Sequence, residues 1–85
     1  APSSVQALYG LGRVHLQADS LQAALRALAQ VLANDPNHID ANYEAGMAAL
    51  QLDNREQARQ YFMRVLTLDP GHGAARSALA ALPGN

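Results

Sequence analysis

VQALYGLGRVHLQADSLQAALRALAQVLANDPNH (residues 5–38) runs straight into IDANYEAGMAALQLDNREQARQYFMRVLTLDPGH (residues 39–72), and the two stretches are versions of one 34-residue unit. Laid over each other, they place Tyr9 on Tyr43, Gly12 on Gly46, Leu16 on Leu50 and Gln17 on Gln51. Asp19 falls on Asp53, Ala24 on Ala58, Val31-Leu32 on Val65-Leu66, Asp35-Pro36 on Asp69-Pro70 and His38 on His72. The shared residues are mostly small, apolar or turn-forming, which is the signature of a structural unit that stacks on its own copy.

Inside each unit the apolar spacing is helical. Leu8, Leu11, Val14 or His15, and Ala18 recur at three- and four-residue steps. After a break at Asp19-Ser20, a second stripe follows through Leu21, Ala24, Leu25, Leu28, Val31 and Leu32. Asp19 and Ser20, like Asp53 and Asn54 one unit later, are residue types that cap helix N-termini. Asp35 and Asp69 precede prolines and are pushed out of helical geometry, so each second helix ends there. The reading predicts helices over residues 5–18, 20–34, 39–52, 54–68 and 73–82. Alanine and leucine dominate and strand-favouring residues are few, so the fold class is all-α: two antiparallel helical hairpins and a closing helix in one domain over 1–85.

A two-helix unit of this length with small residues at fixed offsets strongly resembles the tetratricopeptide repeat family. Leu8, Leu11-Gly12, His15, Ala24, Leu28, Val31 and Pro36 occupy the family pattern in repeat one, residues 5–38. Asn42, Ala45-Gly46, Ala49, Ala58, Phe62, Val65 and Pro70 occupy it in repeat two, residues 39–72. Residues 73–82 start in phase, Ala75 continuing the column of Ala7 and Ala41, and resemble the closing helix of such arrays. Asn42, Ala49 and the aspartates at 19 and 53 depart from the pattern, which has a large residue, an aromatic and a turn glycine at those places. The resemblance implies an α-α superhelical solenoid whose first helices line a concave face that binds protein. On it the partner-binding groove falls to Gln6, Tyr9, Arg13 and Gln17 from repeat one. Repeat two contributes Asp40, Tyr43, Glu44, Met47 and Gln51.

Gly12 and Gly46, read with Ala24 and Ala58, allow the two helices of a hairpin to approach closely. Phe62, Tyr61, Leu28 and Leu66 are expected to fill the wedge between hairpins. Three units are the usual minimum for a stable array, so the expectation is either a fragment of a longer array or a chain that buries an open end. In the second case a second copy would cover an apolar flank near Val5, Leu8 and Leu21, or near Leu79 and Leu82.

Charge and composition exclude several functions. Six arginines and no lysine stand against seven acids, a net charge of −1, which supplies no footprint for nucleic acid. No apolar run is long enough to insert directly into a membrane. The opening Ala1-Pro2-Ser3-Ser4 lacks the basic start and apolar stretch of a secretory signal. Arginine as the sole basic residue points to a GC-rich, bacterial gene; cytoplasm and periplasm both stay open. With no cysteine, neither disulfides nor thiolate metal sites are available.

No catalytic residue, cofactor or metal is expected. His38 and His72 lie a full repeat apart, and zinc needs three or four ligands around one ion. His15 takes an aromatic's place in the packing. The serines at 3, 4, 20 and 77 lie in no nucleophile elbow, and Gly10-Leu11-Gly12 sits inside a helix with no strand before it. Of the basic residues that a chaperone-tail carboxylate clamp uses, only Arg13 is present. The expected function is therefore an adaptor holding a protein or peptide on the groove. The alternatives are a homodimer through an exposed flank, and a recruiting domain of a larger enzyme or assembly machine.

Overall fold

Helix after helix follows in the expected order: α1 (Val5–Gln17), α2 (Leu21–Asn34), α3 (Ile39–Gln51), α4 (Arg55–Leu68) and α5 (Gly73–Ala81). The computed structural model describes residues 4–82, and no strand occurs among them. Residues 1–3, part of the stretch read for a signal, and residues 83–85 lie outside that range. The molecule measures 40 × 25 × 17 Å, with α1–α2 and α3–α4 paired as hairpins and α2–α3 and α4–α5 stacked in sequence.

The turn inside each hairpin is the same device twice. Asp19 and Asp53 both have φ 63°, in the left-handed region. Ser20 N–H donates to the His15 carbonyl at 2.8 Å and Asp19 N–H to the Leu16 carbonyl at 3.1 Å. Asn54 to Ala49 (2.8 Å) and Asp53 to Leu50 (2.9 Å) repeat the pattern. This is the Schellman closure of a helix, with aspartate at the position glycine usually takes. Asp19 and Asp53 thus end the first helices rather than cap the second ones. Ser20 and Asn54 hold the N-cap positions of α2 and α4, yet neither side chain makes the capping bond.

The turns between repeats, Asp35-Pro36-Asn37-His38 and Asp69-Pro70-Gly71-His72, are closed by His38 N–H to Asp35 O (3.1 Å) and His72 N–H to Asp69 O (3.0 Å). Each histidine then becomes the N-cap of the next helix. Nδ1 of His38 accepts from Ala41 N–H at 3.0 Å, and Nδ1 of His72 accepts from Ala75 N–H at 3.1 Å. A neutral imidazole that accepts at Nδ1 carries its proton on Nε2.

Two apolar clusters make the core. Leu28, Val31, Ala41 and Ala45 join α2 to α3, with Leu8, Tyr9 and Leu16 packed on them from α1. Ala49, Ala58, Phe62, Val65, Ala75 and Leu82 join α3, α4 and α5. Tyr61 packs against both clusters and is the wedge residue. The glycines do their work against large residues one turn beyond the expected alanines. A Cβ on Gly12 would lie 2.9 Å from Leu28 Cδ2 and 3.7 Å from the Ala24 carbonyl oxygen. For Gly46 the nearest atoms are those of the Phe62 ring. Ala24 and Ala58 are fully buried beside them. Asn42, where the pattern has a large apolar residue, is buried with its amide donating to the carbonyls of Pro36 (3.1 Å) and His38 (3.0 Å). It binds the inter-repeat turn instead of filling space.

The apolar flank is placed differently from expectation. Val5 and Leu8 pack on the first cluster, and Leu82 is buried in the second. Among the described residues, the exposed large apolar ones are Met63 on α4 (54 %) and, on α1, Leu11 (48 %) and Val14 (59 %). The α1 pair is the informative one. One repeat later their places are held by Ala45 and Ala48, both fully buried. The α1 face that the periodicity assigned to the core is therefore the face that, on α3, is buried.

Candidate partner-binding surface

Tyr9 leaves α1 to meet His38, the N-cap of α3, and Glu44 within α3. Its ring lies 4.8 Å from the His38 imidazole, tilted by 40°. Its hydroxyl donates to Glu44 Oε2 at 2.7 Å, a charge-assisted bond. Arg13, one turn along α1, brings Nε to 3.6 Å from the same carboxylate oxygen and its guanidinium to 5.9 Å from the Tyr9 ring centre. Arg13 is largely exposed, so this ion pair contributes less than about 1 kcal/mol; its effect is to orient the guanidinium. Burial first, then the Glu44 hydrogen bond and the charges of Glu44 and Asp40, push the Tyr9 hydroxyl far above the usual tyrosine range, with Arg13 opposing. Tyr9 is a fixed donor at any physiological pH.

Tyr43 repeats the arrangement one hairpin on. Its ring lies 5.2 Å from His72 and 5.8 Å from Phe62. Each tyrosine thus rests on the histidine that caps the following first helix. Recurrence of Asp-Pro-x-His before a helix was a legible sign of that cap. That the same histidine seats a tyrosine 29 residues earlier in the chain was not, because the contact exists only after the hairpins stack.

The structure thus brings Tyr9, Arg13, Asp40 and Glu44 together. Tyr43 and Met47 pack partly on the second cluster. Gln6, Gln17 and Gln51 are exposed, and their side chains make no hydrogen bond to another described residue. His15 is half-buried and lines a shallow cleft together with Leu8 and Leu11. Among the described residues no cluster of three His, Cys, Asp or Glu side chains could hold a metal ion, and no helix is long and apolar enough to cross a membrane.

Helical hairpins stacked in sequence, joined by repeated turns and carrying an equivalent tyrosine–histidine pair at each junction, define a helical-repeat protein. The tetratricopeptide repeat profile matches residues 1–39 and 9–73, and the chain belongs to that family. Among solved structures, MamA superposes with a TM-score of 0.89 at 25 % identity, over 93 % of this chain. The chain spans 46 % of that structure's length, less than half. No curated protein matches the sequence significantly. Tetratricopeptide repeats generally mediate protein–protein interactions and typically form non-enzymatic scaffolds.

Proposed function

We propose that the chain is an adaptor with no catalytic activity, which holds a peptide or protein segment on the concave face lined by α1 and α3. The observation that carries this reading is the tyrosine–histidine pair, repeated one hairpin apart, with Tyr9 also tied to Glu44 of the next repeat. A surface whose aromatics are already fixed loses little side-chain entropy when a partner arrives. The exposed Gln6, Gln17 and Gln51, with Asp40, offer hydrogen bonds around it and suit an extended or helical segment of modest polarity. The test uses peptides selected from a random library on the wild-type protein, titrated against a Gln6→Glu, Met47→Glu double variant whose helicity is checked first. A tenfold or greater loss of affinity is expected. Unchanged affinity would remove the concave face from the reading.

A second reading, self-association, is supported by Leu11 and Val14. They stand exposed at places that are buried in the next repeat, and exposed apolar patches of a few hundred Å² tend to find partners. Sedimentation over a concentration series distinguishes the two. A dimer that Leu11→Glu dissolves would favour it, and a strict monomer at the highest concentration ends it.

A further inference from the structure

A second groove with different chemistry, lined by neither Tyr9 nor Tyr43, lies between the second helices of the two hairpins. It runs between α2 and α4 in two connected sections that share Ala29 and Tyr61. One section, about 450 Å³, continues past Leu32, Ala33 and Pro36 to Arg64. The other, about 330 Å³, is lined by Leu25, Arg26, Asn54 and Gln57. These sizes fall within the usual range of ligand clefts. Its floor is apolar, and no Asp or Glu lines either section.

The charge here is positive and unspent. Of the six arginines, Arg13, Arg55 and Arg59 are paired with acids at 3.6, 3.3 and 2.8 Å. Arg26 and Arg64, on opposite walls of the groove, have no ion pair among the described residues. The acids nearest in sequence to Asn54, Asp53 and Glu56, are held by Arg55 and Arg59. The section with Arg26 also lies at the N-terminal ends of both α2 and α4, reached through Gln22 and Asn54. Neither helix has a side-chain cap there, so first-turn N–H groups and the positive end of each helix dipole face that end. The concave face, by contrast, spends its one arginine on Glu44 and adds Asp40.

We propose that the groove between α2 and α4 is a second docking surface, whose occupant is an acidic peptide segment with an apolar side chain between carboxylates. The apolar side chain covers Ala29 and Tyr61 at the centre. One carboxylate meets Arg26 and the uncapped helix starts, and the other meets Arg64. This surface does not depend on what binds the concave face, so one molecule can hold two different partners at once.

The test is an amide-shift titration of the full chain with a capped hexapeptide of four glutamates around a central Leu-Phe pair. A matched peptide with four lysines is the control. The proposal expects shifts gathered at Ala29, Ala33, Asn54 and Tyr61, at least tenfold weaker binding of the lysine peptide, and weakening with salt. It also expects at least a tenfold loss in an Arg26→Glu, Arg64→Glu variant; both side chains are exposed, so the fold survives the change. Several outcomes would overturn it: no binding at roughly 1 mM peptide, equal binding of the two peptides or of the variant, or shifts centred on Tyr9, Tyr43 and Met47. Shifts of the groove residues with rising protein concentration alone would assign the groove to a second copy and also overturn it.

Discussion

Replacing Gly46 by alanine tests the packing of the second hairpin directly, because the added carbon would lie 2.6 Å from Cε1 of Phe62 and 2.9 Å from Cδ1 and Cζ. Real Cβ contacts do not come that close, and Phe62 is fully buried, so its ring has nowhere to retreat. Two effects compete. Glycine inside a helix gives up about 1 kcal/mol relative to alanine, which favours the variant. Overpacking a filled core costs about 1–3 kcal/mol, and a rigid ring at this distance belongs to the upper part of that range. The net expectation is a loss of about 1–2 kcal/mol, or roughly 4–16 °C in Tm for a domain of this size. Gly10→Ala is the internal control. Nothing lies within 4 Å of its Cβ position, so it receives the helix gain without the clash and should be stabilised. Gly12→Ala falls between them, since it meets Leu28 Cδ2 at 2.9 Å and a leucine can change rotamer more easily than a ring can move. Thermal and urea unfolding followed by helical circular dichroism would rank the three. If Gly46→Ala proves as stable as Gly10→Ala, the close approach of α3 to Phe62 is wrong and so is this account of the hairpin.

His38→Ala removes the cap of α3 and the seat of Tyr9, and should cost about 1 kcal/mol or somewhat more, whereas His38→Asn should keep most of the stability; faster hydrogen exchange at the Ala41 amide would report the lost cap. Tyr9 and Tyr61 both have hydroxyls raised above their unfolded value, chiefly by burial. Their contribution is therefore complete below pH 10 and is lost as pH rises beyond it, so urea midpoints should fall on the alkaline side and fall less steeply in Tyr9→Phe. Asp53→Gly relieves a left-handed conformation that costs a non-glycine residue about 1–2 kcal/mol, and allowing for the greater chain entropy of glycine it should stabilise by about 0.5–1 kcal/mol, measurable as a higher Tm.

The helices were legible because what makes them is local. Asp35 and Asp69 stop α2 and α4 through a steric clash with the next residue, and the apolar stripe of α2 names its own buried face, Ala24, Leu28 and Val31. The stripe of α1 misled for an equally physical reason. Periodicity says that Leu11 and Val14 share a face, but not whether anything packs on it, and here they stand exposed. The capping histidines were visible as a repeated His38 and His72, yet their meaning depended on the extended φ and ψ that each adopts ahead of its helix. The aspartates at 19 and 53 looked like caps because residue type alone does not reveal the sign of φ.

What the chain's order of residues determined by itself is the 34-residue unit, the number and sequence of helices, the residues small enough to let them approach, and membership of a repeat family. Tertiary structure alone decided that Tyr9 reaches Glu44 and His38, that Tyr61 joins two cores, and that Arg26 and Arg64 come to line clefts with no acid in their walls. Helix formation depends on neighbours within a turn or two, which any sequence displays. The charge and shape of a surface depend on residues some thirty positions apart, whose meeting is set by the angle at which one hairpin stacks on the next.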